Sequence, residues 1–352
     1  MPDWTQSMQQ TFEYYLVDPA TWKDVKPFKF VTSSNISRDA DSDTLGSATF
    51  EVTESLGECY IRTYLVTSQN GVTERFPLGT HLVQTPSSSF DGMVQNVSID
   101  AYTPLLELSE NPPPIGYYLA KGDNIMEKAY QIVRDHVRAP VVASECPDAL
   151  YSDFVSNTED TWMTFTNDLI AEANHALDID EVGRILFAPK QDTAALQPIW
   201  TYDDSNSSIL YPELTIKHDL YKIPNVVEII YSKNGEYYEA RVVNDDPNSP
   251  ISTVNRGREI IHRETNPKFV GDPTNRQIEE YAEKLLKELS TLEYTISYSH
   301  GYYPSRLGDC VRLNYPRAGL NNVKAKIVSQ SIKCTPGCPV SETAVFTQKL
   351  WR

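Results

Sequence analysis

Positive charge is what this sequence has least of. Its 31 Lys and Arg stand against 48 Asp and Glu, a formal charge of −17 at pH 7. Nucleic-acid binding through phosphate contacts needs clustered Lys and Arg, so that class of function is set aside. An acidic surface keeps DNA from adhering, or serves solubility alone. Long apolar runs are missing too: none approaches the roughly 18 to 20 residues that cross a bilayer, so no stable membrane insertion is expected. The first residues, MPDWTQSMQQTFEYY, carry neither the basic nor the apolar stretch of a secretory signal. Synthesis in a cytoplasm as a soluble protein is the expectation.

Cysteine is scarce and odd in number, five in all, which argues against a disulfide framework. Cys59 alternates with Ile61 in a strand pattern and reads as a small buried hydrophobe. Cys146 falls in a polar loop. Cys334-Thr-Pro-Gly-Cys338 holds a three-residue turn that can set two sulfurs across a hairpin. A cross-turn disulfide, metal or iron–sulfur ligation with Cys310, and free thiols all stay open, although Cys-x-x-Cys spacing is absent.

Catalytic signatures are missing as well. There is no Gly-x-Ser-x-Gly, no Gly-rich loop ending in Lys-Ser or Lys-Thr, and no His-Glu-x-x-His. The six histidines, at 81, 136, 175, 218, 262 and 300, never come within four residues of one another. Glu259 and His262 lie three apart in a stretch read as a strand, which puts them on opposite faces. Asp178, Asp180 and Glu181, like Asp245 and Asp246, fall at turns, where Asp is favoured for backbone reasons, and neither group matches an EF-hand loop. No residue is assigned a catalytic, cofactor-binding or metal-binding role, and no cofactor is expected.

What the sequence does have is tyrosine, 21 residues against 11 Phe and 5 Trp. Tyr is a strand former with a polar tip, which favours β structure with wetted or interfacial surfaces. A length of 352 residues predicts two or three domains. Residues 11 to 105 read as a meander of short strands, FEYYLV, FKFVTSS, SATFEVTE, CYIRTYLVTS, VTERF, THLVQ and MVQNVSIDAY, with a hairpin at Asn70-Gly71. Asn111-Pro112-Pro113-Pro114 ends the sheet pattern. Gly122-Asp123 opens a helix with Ile125, Ala129, Ile132, Val133 and Val137 along one face. A second helix is expected from near Thr158, with Trp162, Phe165, Leu169 and Ala173 in register. DIDEVGRILFAP then turns into a strand.

The joint between the two halves is Ile223 to Arg263. Asn234-Gly235 joins VVEIIYSK to EYYEARVV and suits a two-residue type I′ turn. The polar stretch NDDPNSPIST follows, then GREIIHR. Beyond it, Thr274 and Gln277 form a capping box, with Ile278, Tyr281, Ala282, Leu285 and Leu289 as the apolar stripe of one helix. Strands return with YTISYSH, DCVRLNY, VKAKIVSQSI and ETAVFTQ. One weak echo links the halves: a strand is expected fifteen residues after Gly79, at Val94, and again fifteen after Gly308, at Val323.

The runs NVVEIIYS…ARVVNDDPNSPISTVNRGREI, TNRQIEEYAEKLLKELS and YTISYSHGYYPSRLGDCVRLNY resemble the hub proteins of phage tails. These are the baseplate hub of contractile-tailed phages and its siphophage relatives, the N-terminal parts of tail-associated lysins. The strand meander, YTPLLELSENPPP and GDNIMEKAYQIVRDHV extend the likeness over almost the whole chain. The resemblance implies a mainly β fold with an α/β insert: two tube-type β-barrels, the inserted α/β domain, and one helix packed on the second barrel. Residues 1–111 would form the first barrel, completed by strands from about 201–263. Residues 112–200 would be the insert, and 201–352 the central hairpin and second barrel.

The same resemblance implies a structural, non-enzymatic virion protein, a homotrimeric tail or baseplate hub. It would join a sixfold tail tube and distal tail ring to a threefold central spike, fibre or lysin. Its lumen would pass DNA and the tape-measure protein without specific binding. Some siphophage hubs hold an iron–sulfur cluster through C-terminal cysteines. Cys310, Cys334 and Cys338 invite that comparison, though a fourth ligand is not obvious. Two other readings stand beside the hub: a cell-wall-degrading tail hydrolase, which needs juxtaposed carboxylates or a zinc or thiol centre, and a carbohydrate-binding tail-tip module.

Overall fold

The computed structural model describes all residues except 55, 93, 222, 234–235, 266, 268–272 and 352. The chain is mainly β with a few helices and divides into two compact units, Met1–Leu214 with Ser297–Ala344, and Thr215–Ile296 with Val345–Arg352.

Hairpin after hairpin builds the large sheet of the first unit. Gln9–Val17 pairs antiparallel with Asp24–Pro27 on one side and Tyr60–Gln69 on the other. Pairing continues through Val72–Asp91, Val94–Tyr102, Gly46–Val52 and Val31–Asp39 to Leu320–Lys333. Pro198–Asp203 lies parallel to Cys310–Tyr315. Period-two patterning explains which face is buried: Gly46, Ala48, Phe50 and Val52 turn inward while their neighbours are half-buried or exposed. Phe50, Ile36, Leu65, Leu78 and Ile99 are fully buried in this core. Each such side chain contributes about 1.5–3 kcal/mol of burial.

Two sequence expectations change here. VTERF and THLVQ belong to one strand, Val72–Asp91, which runs straight through Pro77. Pro77 lies opposite Tyr64, where the register shifts, so its missing N–H falls at an irregularity in the ladder. The glycine echo also loses its symmetry. Gly79 sits inside that strand, whereas Gly308 turns at φ +85 before Cys310–Tyr315, and the following strand starts at Leu320, not Val323.

Residues 112–200 pack two helices, Ile125–His136 and Trp162–Ala171, with the hairpin His175–Ile179 and Ile185–Pro189. Asn124 caps the first helix by accepting from the Glu127 N–H at 2.9 Å. Thr161 and Thr164 cap the second reciprocally, three residues later than the sequence pattern placed its start. Trp162, Phe165, Leu169 and Ala173 are all buried, as their spacing required.

In the second unit Val226–Lys233 pairs antiparallel with Glu236–Val243, while the Asn234-Gly235 turn between them lies outside the described residues. Ile261–Thr265 pairs parallel with Val226–Lys233. These strands form their own three-stranded sheet. The helix Asn275–Leu289 packs its Ile278, Ala282 and Leu286 on that small sheet, against Val227, Ile229 and Ala240. That replaces the expected seat of the helix on a barrel: its single apolar stripe is matched by the apolar face of the hairpin. The polar stretch after the hairpin is part buried, with Ser249, Ile251 and Ser252 inside and Asp245, Pro247 and Asn248 exposed. Asn225 and Asn244 are fully buried. The Asn225 side chain donates to the carbonyls of Ile251 and Arg258 and accepts the Ile260 N–H at 2.7 Å.

Thr274 accepts the Gln277 N–H, and the Gln277 side chain accepts the Thr274 N–H at 2.8 Å. Thr274→Ala is expected to lower the stability of this helix by about 1 kcal/mol. Faster hydrogen exchange in its first turn, with no change in the first unit, would be the readout.

Candidate functional site

The most concentrated polar chemistry lies inside the large sheet. Glu342, 2% exposed, sits on the same face of its strand as Val340 and Ala344. It accepts hydrogen bonds from Tyr298 Oη at 2.7 Å, Ser305 Oγ at 2.7 Å and Gln330 Nε2 at 2.6 Å. His300 Nε2 lies 3.2 Å away, and Tyr202 Oη is 3.1 Å from that same nitrogen. Burial alone would raise the Glu342 carboxyl, but His300 and the donated hydrogen bonds outweigh it and hold it below the usual carboxylate range. Burial first, then the Glu342 charge, pushes the Tyr202 and Tyr298 phenols well above theirs.

Arg38 extends the network. Its guanidinium donates to Gln330 Oε1 at 3.0 Å, to the Ser305 carbonyl at 3.1 Å and to the Leu78 carbonyl at 2.7 Å. The acidic turn after His175–Ile179 meets it: Glu181 lies 3.7 Å from Arg38 and 3.1 Å from Arg306, and Asp178 is 3.1 Å from Arg306. Burial nonetheless raises the Asp178 and Asp309 carboxyls, with Arg306 opposing. Arg38, Asp178, Glu181 and Arg306 line a cavity of about 30 Å³ together with His81. That is room for one water, against the 300–1,000 Å³ of a small-molecule pocket. The cluster reads as a fastening of the turn between His175–Ile179 and Ile185–Pro189 to the large sheet.

A neighbouring contact fastens the same turn. The Val182 carbonyl accepts from Trp22 Nε1 at 2.8 Å and from Arg62 Nη2 at 3.0 Å. Gly183 follows at φ +81, and a Cβ there would stand 2.8 Å from Thr80 Cβ and 3.0 Å from Trp22 Cζ2. Gly183→Ala is therefore expected to destabilise the protein by about 1–3 kcal/mol, read as a lower urea midpoint at unchanged slope.

The structure brings together only some of the residues singled out in the sequence. Asp178, Asp180 and Glu181 gather at the cavity, and His81 and His300 are buried beside Arg38 and Glu342 respectively. His136 stacks on Trp162 with its Nδ1 2.7 Å from the Ile132 carbonyl, and His175 faces the Ala173 carbonyl. Glu259 precedes the strand that holds His262. All five cysteines are free thiols, so no bridge joins Cys334 to Cys338. Both lie in the apolar core, where burial pushes Cys334 up to about 11 and Cys338 higher still. No group of three or more His, Cys, Asp or Glu among the described residues is placed to hold a metal ion. A groove of about 660 Å³ beside the helix Ile125–His136 carries Glu127 and Glu145, both exposed, whereas a glycosidase's general acid is set in a buried, apolar surrounding. Arg38, Gln330, Ser305 and Glu342 were not singled out from the sequence.

No family model matches the chain, and no curated protein matches it in sequence. Solved structures do. A tail protein from Neisseria meningitidis MC58 superposes with a TM-score of 0.65 at 12% identity, covering 96% of this chain and 97% of that one. The fold is that of phage tail proteins. The 43 kDa tail protein of prophage MuSo2 from Shewanella oneidensis gives 0.62 at 11% identity, covering 95% and 98%. The tail-protein likeness read from the sequence thus holds over nearly the full length, at identities where only the fold is shared. No helix among the described residues is long and apolar enough to cross a membrane.

Proposed function

We propose that this protein is a structural, non-enzymatic subunit of a phage tail, a trimeric hub between the sixfold tube with its distal ring and a threefold central spike or fibre. The observation that carries the reading is the end-to-end fold match to two tail proteins, each covered almost completely. In this proposal residues 1–111 and 201–352 supply two tube-type barrels, and 112–200 is the domain between them. Three subunits then present six barrel faces, which lets one ring meet both symmetries. The charge of −17 supports a conduit that DNA and the tape-measure protein traverse without adhering. The buried ionic network supports a mechanical role, since it ties strands distant in sequence to one another and to the acidic turn around a cavity of only about 30 Å³.

The test is copy number in purified virions, by quantitative mass spectrometry against the major tube subunit. Three copies per particle, with tube protein in multiples of six, is the expected result. Six or more copies would overturn the trimer with two barrels per chain, and absence from the particle would return the hydrolase reading to the front.

A further inference from the structure

One corner of the insert exposes apolar side chains on a stiffened frame. Tyr118 and Val155 are register partners in the ribbon Tyr118–Leu119 and Phe154–Val155, so they stand on one face. They are 59% and 58% exposed, whereas Leu119 is buried and the Phe154 ring lies 5.1 Å from Phe165 on the other face. Ile115, 98% exposed, leads into the ribbon from a turn closed by the Tyr117 N–H on the Pro114 carbonyl at 2.9 Å. Gly116 at φ +78 gives that turn its type II form, which leaves Ile115 projecting at its second position. Pro112, Pro113 and Pro114 stiffen the approach. Tyr151, 91% exposed, flanks the ribbon with Lys121 Nζ 5.6 Å from its ring.

Single exposed apolar residues are ordinary, but three large ones on a preformed turn and ribbon, with Tyr151 beside them, mark an interaction surface. The surrounding charge says what it fits. Asp153 stands between Tyr151 and Val155, and Glu159 and Asp160 follow, against Lys121, which lies over the Tyr151 ring. A second copy would bring the same negative face and be repelled. We propose that this corner docks a partner protein through an apolar segment flanked by Lys and Arg. The proposal stands independently of the hub reading.

The test uses the full chain and, as probe, a fluorescein-labelled peptide of alternating Leu and Lys, read by anisotropy. Ile115→Ser with Tyr151→Ser keeps the charge and is expected to weaken binding at least tenfold, as loss of exposed aromatic anchors does. Asp153→Asn is expected to weaken it severalfold, with a shallower salt dependence. A Leu–Glu peptide is expected not to bind. Equal affinity of the double variant for the Leu–Lys peptide would overturn the proposal, because the attraction would then be diffuse charge. So would a wild-type oligomer in sedimentation that the double variant disperses, which would make a second copy the occupant.

Discussion

Glu342→Ala is expected to remove about 3–5 kcal/mol of stability, the range for breaking a buried charged cluster by deleting one partner. The carboxylate is the common acceptor for Tyr298, Ser305 and Gln330, and it faces His300. Truncation leaves those donors inside the sheet with nothing to bond, each at about 1–3 kcal/mol before water relieves part of it. The melting temperature is expected to fall by roughly 6 °C or more, at about 2–4 °C per kcal/mol for domains of this size. Glu342→Gln keeps the shape but turns an amide toward donors, so it is expected to fall between wild type and Ala. The carboxyl is held below its usual value of 4.5 in the folded protein, so its contribution is present above pH 4.5 and lost as pH falls below it. An alanine variant that melts with the wild type would show that the network is loosely hydrated and carries no load.

The same residue shows what was legible in the sequence and what was not. Along PVSETAVFTQK, Glu342 shares period-two parity with Val340 and Ala344, an acidic residue on an apolar face. That signal was available. Its donors were not, because parity says which face a residue occupies and nothing about which strands pair. Arg38 reaches Gln330 across 292 positions, a contact that exists only once the Val31–Asp39 and Leu320–Lys333 strands are neighbours. Local physics carried further where the partner is near in sequence. The Thr274–Gln277 box and the Trp162 stripe both follow from spacing within one helix, and both are present. The buried roles of Asn225 and Asn244 were not legible for the same reason: the Asn225 amide donates to the Ile251 and Arg258 carbonyls and the Asn244 amide to Ser249 Oγ, partners that only the folded second unit supplies. The tail likeness itself came from the order of elements and from phrase-level similarity over almost the whole chain, and the fold match holds at 12% identity.

Acidification is expected to weaken the fold from pH 6.5 downward, with His81 as the residue responsible. Its ring is buried, its Nδ1 has no hydrogen-bond partner, and the Phe50 ring lies 6.4 Å away. Gly79 lies against the ring, and a Cβ there would collide with His81 Cε1, so the glycine gives the imidazole its buried seat. Burial first, and then the Arg38 charge, lowers its pKa from 6.5 to about 3. Between those values the unfolded chain binds a proton that the folded chain refuses, so stability is lost as pH falls. The slope approaches about 1.4 kcal/mol per pH unit, or on the order of 3–5 kcal/mol across the window. His81→Gln removes the titrating group, and its stability is expected to change less between pH 6.5 and 5 by that slope, even if the variant starts lower. This interval lies above the range in which Glu342 loses its contribution, so the two carriers separate by pH. Guanidinium unfolding of both proteins at pH 7, 6 and 5 measures the difference directly. Parallel curves would mean that the ring takes up its proton in the fold, with the adjoining 30 Å³ cavity supplying a water to receive it.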